Sequence, residues 1–116
     1  MPDRDLSALS RPISEIKAEL FKALAHPARI RVLELLCDGE ATVSEMQPLV
    51  GVESSHLSQQ LGVLRRARVV TTRKEGVNVF YAIKDPVMIE LLAVAKRLLI
   101  NSLTETEDLL ADLRAE

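Results

Sequence analysis

The chain has 116 residues, of which 47% are hydrophobic and 28% charged, and its net charge is −2. This is the composition of one small globular domain and excludes a disordered chain. A single cysteine excludes an internal disulfide and a cage of thiolates around a metal ion. No apolar run has the length of a membrane span, and the polar start lacks a signal-peptide core. We therefore expect a small cytoplasmic domain with an aliphatic core.

Four helices are predicted in the first part of the chain. Apolar residues recur at helical spacing over residues 13–24. A second helix starts at Pro27, because a proline has no N–H to leave unbonded in a first turn. A third begins with the capping box Thr42-Val43-Ser44-Glu45, and a fourth covers residues 54–67.

A β-hairpin is predicted directly after the fourth helix. β-Branched and aromatic residues fill 69–73 and 77–83, and the three residues Lys-Glu-Gly separate the two runs. We expect Arg73 and Lys74 at the tip of this hairpin, with Asn78 opposite. Two cations at that place could reach a phosphate group or a minor groove of DNA.

A final helix follows, with Asp85 as its cap and Pro86 in its first turn. Leucines and other apolar residues form a stripe along it. A second capping box, Thr-Glu-Thr-Glu at residues 104–107, leaves two alternatives: the helix runs on, or it breaks or restarts near Asn101.

This order predicts a mainly helical fold with a small hairpin, arranged α-α-α-α-β-β-α. A short helix, a glycine-containing turn and a longer helix, followed at once by a hairpin, is the layout of a winged helix-turn-helix. We assign residues 1–12 to a flexible N-terminal arm, 13–100 to a winged-helix domain that also dimerises, and 101–116 to an acidic helical tail.

The fourth helix has one apolar and one polar face. Leu57, Leu61 and Leu64 are spaced to form the buried face. The opposite face has no carboxylate and offers groups that can hydrogen-bond base edges and phosphates. A solvated surface would have a similar composition, so this face alone does not decide between the two interpretations. The residues predicted to contact DNA on this helix and the hairpin are Ser54, Ser55, His56, Ser58, Gln59, Arg66, Arg73, Lys74 and Asn78.

Three separated segments, in order, resemble the ArsR/SmtB family of bacterial transcriptional repressors. They are LAHPARIRVL at 24–33, VESSHLSQQLGVLRRA at 52–67 and EGVNVFY at 75–81. The resemblance implies a winged-helix homodimer that binds double-stranded DNA at a pseudo-palindromic operator and represses transcription. It places the recognition positions on the start of the fourth helix, in agreement with the two faces described above. Arg68 stands where the family usually has glycine, so either this arginine has a positive φ or the turn differs.

Dimerisation is expected through the first and last helices. The leucine stripe is longer than one small core can bury, and exposed apolar surface of that size usually marks an interface. The residues predicted at this interface are Ile13, Ile16, Leu20, Leu91, Leu92, Leu98 and Leu99.

The metal sites that the resemblance implies are not matched in this sequence. Thr42 and Ser44 stand at the positions of the thiolate ligands in the third helix, and no histidine follows Pro86. Hydroxyls are poor ligands for soft divalent ions. No cofactor is required, and the remaining option is nickel or cobalt held weakly by His26 or His56 with carboxylates. The candidate carboxylates are Asp3, Asp5 and Glu15.

His26 and Cys37 also have simpler interpretations. His26 precedes a helix-starting proline and is expected to cap that helix. Cys37 lies on an apolar helix face and is expected to be a buried small hydrophobe. The effector that releases the protein from DNA stays open between a metal, thiol chemistry and a partner protein.

Enzymatic activity is not indicated by any motif. The sequence has no glycine-rich phosphate loop, no HExxH and no histidine placed to relay protons. The alternative function is that of a protein-interaction module, in which the winged helix binds another protein. In such a module we expect the fourth helix and the hairpin to be depleted in Arg and Lys, whereas in this sequence both are enriched in them.

Overall fold

The computed structural model describes residues 11–115. They form two compact units, which divide between Lys84 and Asp85. The elements of the first unit are α1 (Ile13–Leu24), α2 (Pro27–Leu36), β1 (Ala41–Thr42), α3 (Val43–Val50), α4 (Ser54–Arg66), β2 (Val70–Glu75) and β3 (Asn78–Ile83). The second unit is the helix α5 (Val87–Ala115). The mainly helical winged helix-turn-helix predicted from the sequence is confirmed.

The predicted helix starts are present with their capping groups. Nδ1 of His26 accepts a hydrogen bond of 3.0 Å from the amide of Ala28, so His26 is the N-cap of α2, as predicted. Thr42 and Glu45 form the reciprocal capping box of α3. Gly51 ends α3 with φ 78°, a left-handed conformation that glycine adopts without steric cost.

The core of the first unit lies among α2, α3 and α4. Its fully buried side chains are Val32, Leu33, Met46, Leu57, Leu61 and Leu64. The buried face predicted for the fourth helix is therefore confirmed. Complete burial of one such side chain stabilises the fold by about 1.5–3 kcal/mol, so three leucines hold α4 firmly against the other helices.

The strand β1 was not predicted. Ala41 pairs with Tyr81 and Thr42 with Phe80, which makes a three-stranded antiparallel sheet in the order β1-β3-β2. Two residues are too few to show the alternation by which a strand is recognised in a sequence. The short strand connects the hairpin to the residues that start α3.

The hairpin extends further than predicted, and its tip differs. Strand β2 continues through Glu75, which pairs with Asn78, and Gly76 and Val77 form the two-residue turn. Gly76 has φ 63°, which the first position of a type II′ turn requires. The prediction of Arg73 and Lys74 at the tip is wrong, because they pair within the sheet with Phe80 and Val79.

The end of α4 places an arginine in a conformation that usually belongs to glycine. Arg68 has φ 61°. The amide of Val69 donates to the carbonyl of Leu64 and the amide of Arg68 to that of Arg65, both at 3.0 Å. This is the complete Schellman motif with arginine at its left-handed position. Of the two alternatives left by the sequence, the structure has the positive φ.

Helix α5 is continuous through Asn101, so of the two alternatives left by the sequence the structure has the unbroken helix. The hydroxyl of Thr104 donates to the carbonyl of Ile100 at 2.9 Å, and that of Thr106 to Ser102 at 3.1 Å. Both threonines therefore bond backward within the helix and do not cap a new one. Across residues 11–115, no helix is long and apolar enough to cross a membrane.

Candidate nucleic-acid interface

The exposed face of α4 carries the hydrogen-bonding groups of the candidate site. Ser55, Ser58 and Gln59 are all exposed on the side away from the buried leucines. A glutamine amide can pair bidentately with adenine, and a serine hydroxyl can bond to any base edge. Because the buried leucines fix the rotation of α4, these three side chains share one accessible surface.

Ser54 has a structural partner in the preceding helix. Its hydroxyl donates to Oε1 of Gln47 at 2.8 Å, and Nε2 of the same glutamine donates to the carbonyl of Val52. Gln47 thus bridges α3, the turn and the first residue of α4. Of the serines predicted to contact DNA, Ser54 is the one whose proton is engaged in holding the turn.

His56 is half-buried and packs against His26. The two ring centroids are 5.5 Å apart and the rings are nearly perpendicular. The structure therefore brings together the two histidines that the sequence singled out separately. This contact leaves His56 with less free surface than Ser55 or Gln59.

A buried glutamine on α4 was missed by the sequence reasoning. Gln60 is 9% exposed, and its Oε1 accepts a hydrogen bond of 2.8 Å from Nε of Arg29. The same guanidinium donates to the carbonyls of Lys22 and Ala23 in the last turn of α1. The pair therefore connects α1, α2 and α4. Nothing in the sequence indicated that Gln60 faces inward, because a polar residue on a helix is expected at the surface.

The last turn of α4 is basic. Arg65, Arg66 and Arg68 are exposed there. The guanidinium of Arg66 folds over Gly62, with Nη1 3.2 Å from the place a Cβ would occupy. The absence of a side chain at Gly62 therefore leaves room for Arg66, which keeps this cation beside the helix surface.

On the hairpin, the three predicted contacts have different surroundings. Lys74 is exposed, and Asn78 is exposed beside the turn. Arg73 is bound to two carboxylates: Nε donates to Glu40 and Nη1 to Glu75, each at 2.8 Å, and Nη2 also bonds to Glu40. Its guanidinium carbon lies 4.3 Å from the ring centroid of Phe80.

Ionisation at the hairpin follows from these contacts. The hydrogen bonds that Arg73 donates to Glu40, and then to Glu75, raise the pKa of Arg73. The hydrogen bond from Arg73 lowers the pKa of Glu40. Arg73 and Glu40 are therefore both charged at neutral pH.

The side chains at the positions of the metal sites implied by the family resemblance do not have fitting donor atoms. The hydroxyl of Thr42 is engaged with Glu45, and Ser44 is an exposed hydroxyl. The described residues contain no group of three or more His, Cys, Asp or Glu side chains that could hold an ion. Asp3 and Asp5, named as candidate ligands, lie outside the described residues.

Cys37 is partly buried at the end of α2. Its Sγ donates to the carbonyl of Leu33 at 3.3 Å. Burial, then the neighbouring Asp38 and Glu34, raise the pKa of this thiol. The protonated form, which is the poorer nucleophile, is therefore favoured.

A winged helix-turn-helix with an exposed, carboxylate-free face on the helix after the turn is typical of DNA-binding transcriptional regulators. Residues 26–72 match the family described as bacterial regulatory protein, arsR family. The chain is 53% identical over 107 residues to the HTH-type transcriptional regulator Rv0081 of Mycobacterium tuberculosis, covering 91% of this chain and 94% of that protein. The protein therefore belongs to the ArsR family, as the sequence resemblance indicated.

Solved structures and a further relative agree with this assignment in sequence and in fold. The crystal structure of M. tuberculosis Rv0081 has 54% identity and a TM-score of 0.76, covering 83% of this chain and 97% of that one. The biofilm growth-associated repressor of Agrobacterium fabrum is 41% identical over 80 residues, which is 69% of this chain and 68% of that protein. The solution structure of the homodimeric winged helix-turn-helix domain Mb0332 of Mycobacterium bovis has 26% identity and a TM-score of 0.74, covering 90% and 94%.

Proposed function

We propose that the protein is a homodimeric repressor that binds a pseudo-palindromic operator in the bacterial cytoplasm. Helix α4 of each protomer lies in a major groove, and the hairpin lies against the phosphates beside it. The observation that carries this proposal is the exposed face of α4. It presents Ser55, Ser58 and Gln59 together, while the leucines behind them fix their direction.

The cations at both ends of this surface support the same docking. Four basic side chains are exposed there: Arg65, Arg66 and Arg68 at the end of α4, and Lys74 on β2. Phosphate contacts position a protein on the duplex, whereas base contacts supply sequence specificity. We assign the first role to these basic side chains and the second to Gln59 with Ser55 and Ser58.

Two apolar surfaces support the dimer. On α1, Ile13, Ile16 and Leu20 are exposed although all are hydrophobic. On α5, Leu98 and Leu99 are 69% and 64% exposed, and no residue of the helix is buried. The homodimeric relative Mb0332 and a relative named as a repressor support both the assembly and the direction of regulation.

We propose that release from DNA does not use the two metal sites implied by the family resemblance, because their donor atoms do not fit. Nickel or cobalt at His56 remains the metal alternative. His26 is the weaker candidate, because its Nδ1 lone pair already accepts the amide of Ala28. In that state Nε2 carries the proton, and a metal ion there would require the cap to open.

The experiment is selection of operator DNA from a random pool by the purified protein, followed by light scattering of the complex. We expect an inverted repeat whose half-site centres lie about one helical turn apart, with two chains on each duplex. A selected site without two-fold symmetry, or one chain per duplex, would contradict the proposal. Binding that is independent of salt would contradict a DNA interface altogether.

A further inference from the structure

Arg73 uses all three of its nitrogens within the protein. Nε and Nη2 bond to the two carboxylate oxygens of Glu40, and Nη1 bonds to Glu75. The guanidinium plane also lies over Phe80, 4.3 Å from the ring centroid. We call these four residues the Arg73 cluster. Three of the five N–H groups of the guanidinium are thus engaged, so a phosphate group that approached this cation would compete with two carboxylates for it.

The Arg73 cluster connects β2 to Glu40, the residue just before β1, although β1 and β2 do not pair with each other. Phe80 on the central strand β3 stands opposite Thr42 of β1 on one side and opposite Arg73 of β2 on the other. By crossing the Phe80 ring, Arg73 reaches Glu40, which lies two residues before Thr42. Since Thr42 is the N-cap of α3, the bond ties the hairpin to the start of the helix-turn-helix.

The neighbouring cation is differently placed. Successive residues of a strand point to opposite faces, so Lys74 projects from the other side of β2 from Arg73. Lys74 is exposed and has no ion pair within residues 11–115. The hairpin thus carries one cation that is held by carboxylates and one that is accessible.

We propose that Glu40 and Arg73 are positioning residues that fix the hairpin to the helix-turn-helix, and that Lys74 is the hairpin cation that contacts phosphate. The inference rests on the proposed function for its DNA contact, but the positioning role concerns the free protein. It replaces the phosphate contact that the sequence alone suggested for Arg73.

The number of phosphate contacts is measured by the salt dependence of operator binding. The slope of log K against log salt concentration is negative, and each lost contact reduces its magnitude by about 0.9. We expect Lys74→Gln to reduce the magnitude of the slope by about this amount per protomer. Arg73→Lys should weaken binding by about fivefold at unchanged slope, because lysine keeps the charge but cannot bond to two carboxylates in the same way.

The substitution Glu40→Gln tests the Arg73–Glu40 interaction from the side of the carboxylate. The affinity of this variant should be compared with that of Asp38→Asn, which removes an equal charge from the same loop and leaves Arg73 with both partners. We expect Glu40→Gln to bind more weakly than Asp38→Asn. The double variant Glu40→Gln/Arg73→Lys should be no weaker than Arg73→Lys alone, since both changes break one interaction.

A measurement on the free protein separates this inference from the proposed function. Backbone ¹⁵N relaxation at Gly76 and Val77 should show a more mobile hairpin in Arg73→Lys and Glu40→Gln, and an unchanged one in Lys74→Gln. If Arg73→Lys keeps parental affinity and Arg73→Gln reduces the magnitude of the salt slope, Arg73 contacts phosphate and the inference is wrong. An unchanged hairpin in Arg73→Lys and Glu40→Gln also overturns it. A parent that binds no DNA overturns the proposed function together with the phosphate contact of Lys74, and the relaxation measurement then decides the positioning role of Glu40 and Arg73 by itself.

Discussion

Nε of Arg29 donates to Oε1 of Gln60 at 2.8 Å, across 31 residues of sequence. The same guanidinium bonds to the carbonyls of Lys22 and Ala23, which end α1. One buried amide and one arginine therefore hold three helices together behind the exposed face of α4. A hydrogen bond to a charged donor is stronger than a neutral one, and leaving the donor without a partner costs its desolvation.

Truncating this amide should destabilise the fold. We expect Gln60→Ala to lower the free energy of unfolding by about 2 kcal/mol, because Nε of Arg29 loses its acceptor and a small void remains. The neighbouring exposed residue offers a matched control, since Gln59→Ala should change stability by less than about 0.5 kcal/mol. Urea unfolding checks both, and equal effects of the two substitutions would show that the Arg29 bond contributes nothing.

The left-handed residue at the end of α4 should be improved by glycine. We expect Arg68→Gly to raise the free energy of unfolding by up to about 1 kcal/mol, because glycine adopts this φ without strain. Ala67→Gly is the control, with the opposite sign expected, because Ala67 has φ −77° and gains nothing from glycine. Thermal unfolding measures both. A stability loss in Arg68→Gly would show that the arginine side chain stabilises the turn more than its backbone strains it.

The dimer should depend on the leucines of α5. The double substitution Leu92→Glu/Leu99→Glu places charge in the proposed interface and should give monomers in light scattering. Leu49→Glu, at an exposed leucine of α3, serves as the control and should remain dimeric. A folded double variant, verified by circular dichroism, that still runs as a dimer would assign the interface elsewhere.

Nickel and cobalt should bind weakly. The Nδ1 lone pair of His26 is engaged in the cap, which leaves one imidazole, that of His56, for an ion. We expect an equimolar chelator to remove either metal from the protein, and residual binding to fall as the pH is lowered, because a ligating imidazole must be neutral. Binding that withstands the chelator and survives His56→Ala would reveal a site that these residues do not form.

Sequence patterns predicted the helices because each has a local signal. The capping box at Thr42 and the leucine spacing of α4 depend only on neighbours in the chain. The interactions that were missed, Arg29 with Gln60 and Arg73 with Glu40, join residues 31 and 33 positions apart. Local patterns contain no information about such partners. The question left open near Asn101 has a local cause, since threonine can cap a helix or bond backward within one.

The most direct test of the central claim is the effect of Gln59→Ala on operator specificity. Affinities of the parent and the variant are measured against the selected operator and against every single base-pair change in one half-site. We expect the parent to discriminate at each contacted position by about 1–3 kcal/mol, and Gln59→Ala to lose that discrimination at one position per half-site. The other positions should be unchanged, and Lys74→Gln should weaken binding to all sequences about equally. If Gln59→Ala keeps the parental pattern at every position, α4 does not read the operator in the way that its exposed face indicates.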